Sequence, residues 1–201
     1  MAELGAGWAP WLVRAALAVR QRPQIATLEL VAVEADPTHR SWIIQHFLDN
    51  DVDPAAHLIL HGAVSSAPGV LQFPVVQDPD VDYGASLRGA PSSAQTIELR
   101  GWSIPEILSQ FSGPLDFMHV DIQGSEYEAL PPAMDNLKAS VKSIMVGTHI
   151  ADKNHDDLAA IFNSKGWREV INLPRGRTNS TPWGEIATGD GFLLFDNPSY
   201  V

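Results

Sequence analysis

Apolar residues fall along this chain in short blocks, and the block lengths predict alternating strands and helices. The densest is Leu115, Phe117, Met118, Val120 and Ile122, entered at Gly113-Pro114. It reads as a buried strand, and Asp121, Gln123 and Glu126 crowd around Gly124 at its end. Thr27 to Val33 predicts a second buried strand, ending in Glu34-Ala35-Asp36-Pro37, and Leu58 to His61 a short third. Val141 to Gly147 predicts a fifth, running into Thr148-His149. Trp167 to Leu173 and Gly191 to Phe195 predict a closing pair, antiparallel to each other. Between these runs the period changes to that of amphipathic helices. They are expected from Trp8 to about Val19, Pro37 to Asp49, Ser103 to Phe111, Ser125 to Leu137 and Asp156 to Gly166. Pro131-Pro132 should kink or restart the fourth of these, and Gly166 should stop the fifth.

The stretch from Gly69 to Gly113 breaks the rhythm. Val70 to Val76 and Thr96 to Leu99 suggest a strand pair, joined by a long Asp-, Gly-, Pro- and Ser-rich loop. A loop of that length in one compact domain, taken as residues 1–201, points to an insert or lid over 69–113. No internal repeat or domain boundary is visible.

Composition narrows the class. With 45% hydrophobic and 18% charged residues the chain is an ordinary globular protein. Its net charge of -11, with 13 Lys+Arg and no basic patch, argues against nucleic acid as a partner. The Arg175-Gly176-Arg177 cluster is too small to change that. The absence of cysteine excludes disulfides and thiolate metal sites and fits a reducing, cytoplasmic setting. No apolar run approaches the roughly 20 residues that cross a bilayer, and no secretory signal is apparent. Asn179-Ser180-Thr181 matches the glycosylation triplet, which has no use without export.

The chemistry gathers at strand ends, where open α/β sheets bind ligands. Glu3-Leu4-Gly5-Ala6-Gly7 suits a tight strand-to-helix turn with backbone close to a ligand, or an ordinary turn. Glu34 at the tip of the second strand is placed to accept hydrogen bonds from a ribose diol, while Asp36 before Pro37 reads as a helix cap. Gly62-Ala63-Val64-Ser65 leaves room for a flat ring, or is a plain strand end. Ser103 with Glu106 matches a capping box.

With these segments in this order, the chain resembles class I S-adenosylmethionine-dependent methyltransferases, and more narrowly the FkbM type. The matching residues are Glu3 to Gly7, Val33 to Pro37, His119 to Glu126 and Val146 to His149. The resemblance implies a doubly wound Rossmann-like α/β sheet, seven-stranded and mostly parallel with an antiparallel closing strand. It implies S-adenosylmethionine as cofactor, with Glu3, Gly5 and Gly7 at its methionine portion, Glu34 at the ribose, and Ala63 with Val64 at the adenine. It also implies methyl transfer to a hydroxyl of a sugar or natural product. Only Met1-Ala2 precede Glu3, so the first strand should be truncated and pair poorly. That points to a fragment of a longer polypeptide. Self-association remains open as well.

In such a reaction Asp121 is placed to take or hold the acceptor proton, or to bind the cofactor's amino group. His149 is the second candidate base, as a neutral imidazole. Glu126 either joins the site or only stabilises a helix N-terminus. Strand alternation places His119 beside Asp121, and with His149 these three could ligate a divalent metal, although no metal is expected. Trp183 could stack on a sugar ring or pack a lid. A dinucleotide-dependent oxidoreductase fits poorly, because Pro10 stands where the third glycine of its fingerprint belongs. The remaining rival is a non-catalytic cofactor-binding module.

Overall fold

The computed structural model describes residues 1–25, 27–87 and 94–200. Its strands and helices are β1 (Ala2–Leu4), α1 (Pro10–Arg20), β2 (Val31–Glu34), α2 (Pro37–Asp49), β3 (Leu58–His61), β4 (Ala63–Ser65), β5 (Gly69–Pro74), β6 (Thr96–Ser103), α3 (Ile104–Leu108), β7 (Leu115–Val120), α4 (Glu126–Ala129), α5 (Met134–Ser140), β8 (Val141–Thr148), α6 (Asp152–Ser164), β9 (Arg168–Leu173), β10 (Arg177–Thr181), β11 (Gly184–Thr188) and β12 (Gly191–Asp196). Seven strands form one sheet in the order β3-β2-β1-β7-β8-β12-β9. β12 runs antiparallel to both neighbours, and the other pairings in this sheet are parallel. This is the doubly wound Rossmann-like order, with its reversal between β1 and β7.

Alternation along the strands divides two cores. Val31 and Val33 pack into the core shared with α3, α5 and α6. Leu30 and Ala32 pack on the other side, with Leu12, Val13 and Ala16 of α1 and Ile43 and Phe47 of α2. A three-stranded sheet, β4-β6-β5, stands beside the main one and carries a small core of Ala35, Ala63, Phe73 and Leu99.

Several expectations are corrected by packing. β1 has three residues, yet it pairs in full register with β2 on one side and β7 on the other. Poor pairing was the wrong inference, because a short strand between two neighbours can satisfy all of its backbone groups. β2 starts at Val31, four residues later than the apolar run implied. α6 starts at Asp152, four residues earlier than expected. The stretch between the two closing strands, where no element was expected, holds the β10–β11 hairpin. The pairing of β4 with β6 was also not foreseen. The double proline does split its helix, into α4, a 3-10 turn at Pro131–Ala133, and α5.

Candidate functional site

The C-terminal ends of β1, β2 and β7 open into one cleft. It is lined by Glu3, Gly5, Gly7, Glu34, Ala63, Val64 and Asp121 among others, so seven of the nine expected site residues share it. The two others, Glu126 and His149, lie behind Asp121.

The glycine turn is set by a close approach. Gly5 has φ +72°, and a Cβ there would stand 1.9 Å from the backbone oxygen of Asp121. Only glycine allows β1 and β7 to converge this way. The Gly5 and Ala6 amides both donate to the Val33 carbonyl at 3.0 Å, tying the turn to β2.

Glu34 is 7% exposed. Its Oε2 accepts from the Gly7 amide at 2.7 Å and its Oε1 from the Asp36 amide at 2.8 Å. Burial pushes its carboxyl upward, opposed by those two amides and by His39. A carboxylate has about four acceptor positions, so two amides leave capacity for hydroxyl donors. Asp36 is the cap, as expected: its Oδ1 accepts from the Thr38 and His39 amides, both at 2.8 Å.

Glu3 is buried on β1, where its Oε2 accepts from the Leu12 amide at 3.1 Å. Its Oε1 faces His119 Nδ1 at 3.5 Å. Burial raises its carboxyl, with His119 and the α1 amides opposing. Among the described residues the cluster around His149 takes Glu126 in place of the expected His119, while His119 and Asp121 line the same cleft. Glu3 sits directly opposite His119 on the neighbouring strand, closer than a residue two along the same strand.

Behind the cleft, Asp121, His149 and Glu126 form a line. Asp121 Oδ1 meets His149 Nε2 at 3.1 Å and accepts from Gln123 Nε2 at 2.8 Å. His149 Nδ1 meets Glu126 Oε1 at 2.9 Å, and that oxygen also accepts from the Ile122 amide at 3.0 Å. Glu126 is fully buried, and its Oε2 has no hydrogen-bond partner among the described residues. Gly147 makes space for the ring, since a Cβ there would come 3.1 Å from His149 Cε1. Burial opposes charge on His149, but the two carboxylates outweigh it and push the imidazole up to about 10. Burial likewise opposes ionisation of Asp121, but His149, His119 and Gln123 outweigh it and hold the carboxyl below its ordinary value. A shift in that direction favours the charged ring, which runs against the expected role of His149 as a neutral base. Donor atoms of Asp121, Glu126 and His149 lie within 4.8 Å of one another, the spacing of a cation site. Both ring nitrogens face carboxylate oxygens in this arrangement.

Residues 79–87 cross the cleft mouth. The Tyr83 ring stacks on His39 at 4.7 Å and 6°, and His39 Nε2 meets the Pro79 carbonyl at 2.9 Å. Ser86 donates to the Gln123 carbonyl at 2.6 Å. Of the proposed insert, residues 88–93 lie outside the described residues. Sequence reasoning missed Tyr83, Ser86 and His39, since their partners are distant in sequence; the length of the loop was the available signal. Trp183 is 74% exposed at the tip of the β10–β11 hairpin. The hairpin's base is held near His149, where Arg175 Nη1 donates to the His149 carbonyl at 2.8 Å.

No protein-family model matches the chain. A protein of Jannaschia sp. (strain CCS1) that carries the name "Putative methyltransferase" is 27% identical over 206 residues, covering 98% of this chain and 72% of that one. Among solved structures, methyltransferase FkbM from Methylobacillus flagellatus KT superposes with a TM-score of 0.55 at 12% identity, over 97% of this chain and 42% of that one. Precorrin 8W decarboxylase from Methanobacterium thermoautotrophicum gives 0.52 at 12% identity, over 97% and 79%. Ribosomal protein L11 methylase from Lactobacillus delbrueckii subsp. bulgaricus gives 0.50 at 8%, over 98% and 68%. At such identities the shared property is the fold, the Rossmann-like sheet common to these proteins.

Proposed function

We propose that the chain is an S-adenosylmethionine-dependent methyltransferase, acting on a hydroxyl oxygen of a small sugar or natural-product acceptor. The observation that carries this reading is the cleft itself. Glycine-only closure of β1 against Asp121 makes a cradle that a Cβ would fill, and the Glu34 carboxylate and the small Ala63–Val64 wall stand along it. These residues fit the cofactor: Glu3, Gly5 and Gly7 at its methionine portion, Glu34 at the ribose hydroxyls, Ala63 and Val64 at the adenine. Bound there, S-adenosylmethionine supplies a methyl group already activated on a sulfonium, so the chain's task is mainly to hold the acceptor oxygen in line. Asp121 is the carboxylate nearest that task, as proton acceptor or as the group that orients the acceptor hydroxyl. Glu126 and His149 stand behind it. The reading treats residues 1–201 as one domain with 69–113 as its lid, working in the cytoplasm. Among the described residues no helix is long and apolar enough to cross a membrane.

Transfer of a labelled methyl group from the cofactor to a panel of sugars and polyhydroxylated products tests the reaction. Labelled methyl ether formed by wild type and reduced by Asp121→Asn supports the reading; binding without transfer to any acceptor sinks it. One observation favours a second reading, a cofactor-binding module without turnover: Asp121 is held below its ordinary carboxyl value, which weakens it as a base. That alternative predicts the binding-only outcome.

A further inference from the structure

His149 is enclosed between two carboxylates that approach opposite ring nitrogens, Glu126 Oε1 at Nδ1 and Asp121 Oδ1 at Nε2. An ionised carboxylate only accepts hydrogen bonds, and a neutral imidazole has a single N–H. Where both carboxylates are ionised, two such bonds require a proton on each nitrogen. The ring is fixed from the backbone too. Arg175 donates to the His149 and Ile150 carbonyls at 2.8 and 2.6 Å. The Tyr127 phenol lies beside Thr148 and the backbone of the same loop. Glu126 is held in turn by the Ile122 amide.

We propose that His149 is a positioning residue, a constitutive imidazolium anchored on buried Glu126, whose second N–H orients the Asp121 carboxylate and keeps it ionised at the cleft. This rests on the reading of Asp121 as the carboxylate that meets the acceptor. It gives Glu126 a function at a distance: a buried acid that never touches substrate and serves only to hold the cation behind the working group. The other groups acting on Asp121 are His119, through its charge, and Gln123, through its amide.

The test is nuclear magnetic resonance of the intact chain without added ligand, which separates this inference from the methyltransferase reading. Nitrogen-proton spectra, with the His149 ring assigned by its loss in His149→Gln, are expected to show both nitrogens protonated at pH 8. A single neutral tautomer at that pH would overturn the inference. So would Mg2+ or Mn2+ displacing a ring proton, which would make the cluster a metal site. Carboxyl carbon titration of Asp121 in His149→Gln is expected to move its midpoint up by about 1–3 pH units, the effect of removing an adjacent opposite charge. An unchanged midpoint in a variant with wild-type amide dispersion would mean that His149 does not act on Asp121. If His149→Gln does not fold, Glu126→Gln gives the same decision from the ring: the midpoint of His149 should fall toward its ordinary value, and an unmoved midpoint contradicts the anchor.

Discussion

Gly5 shows how much one residue decides. A methyl group there would overlap the Asp121 carbonyl, and φ +72° is strained for any other residue. Gly5→Ala is expected to cost more than about 1 kcal/mol, the least expected where alanine meets a positive φ, and to abolish cofactor binding. Urea unfolding and a binding isotherm check the two effects together. His149 sets a pH dependence. Its imidazole is raised to about 10 from the ordinary 6.5, so its contribution to stability is complete below about 6.5 and is lost as pH rises through about 10. Between those limits the wild type should therefore lose more stability than His149→Gln. Melting temperatures of both proteins across the range check this, and parallel curves would contradict it. Asp121 acts in the opposite direction: its depressed carboxyl contributes above the ordinary Asp value, and that contribution is lost as pH falls through the folded value. The chemistry-bearing types at strand ends were legible in the sequence. Their pairing was not. Glu3 stands 116 positions before His119, and only the β1–β7 register makes them neighbours.

Elements were readable where the local signals agreed. Asp36-Pro37 announced α2, and its side chain does accept from two amides of the first turn. Asp36→Ala should destabilise the chain by about 1 kcal/mol, the usual cost of losing such a cap, as measured by urea titration with unchanged slope. β10 and β11 were not readable, because their polar, exposed residues give no apolar alternation. The late start of β2 has another origin: Leu28 and Leu30 are apolar because they pack in the core beneath the sheet, ahead of the strand itself. The segment around Tyr83 is the part that sequence left shapeless. Tyr83 is half exposed yet stacked on His39 over the cleft. Tyr83→Ala should weaken cofactor binding about two- to tenfold, in line with about 0.5–1.5 kcal/mol for an aromatic contact, and leave the melting temperature unchanged. Calorimetry and a thermal melt on the same preparation separate a lid from a structural contact.

At the scale of the molecule, the sheet order places β1 between β2 and β7, so three short polar ends converge on one cleft. The α/β class and the closing antiparallel pair could be anticipated from the sequence, because the apolar blocks alternate between strand and helix periods. The acceptor could not, since the surfaces that would select it include the lid and the β10–β11 hairpin, which differ from the repeating α/β pattern. The central claim is that this cleft holds S-adenosylmethionine. Isothermal calorimetry of the chain with S-adenosylmethionine, beside Glu34→Ala, tests it most directly. The account predicts micromolar binding by wild type and a loss of at least about tenfold in the variant, the equivalent of about 1.4 kcal/mol. A folded wild type that binds no cofactor, or a Glu34→Ala variant that binds as well as wild type, would contradict it.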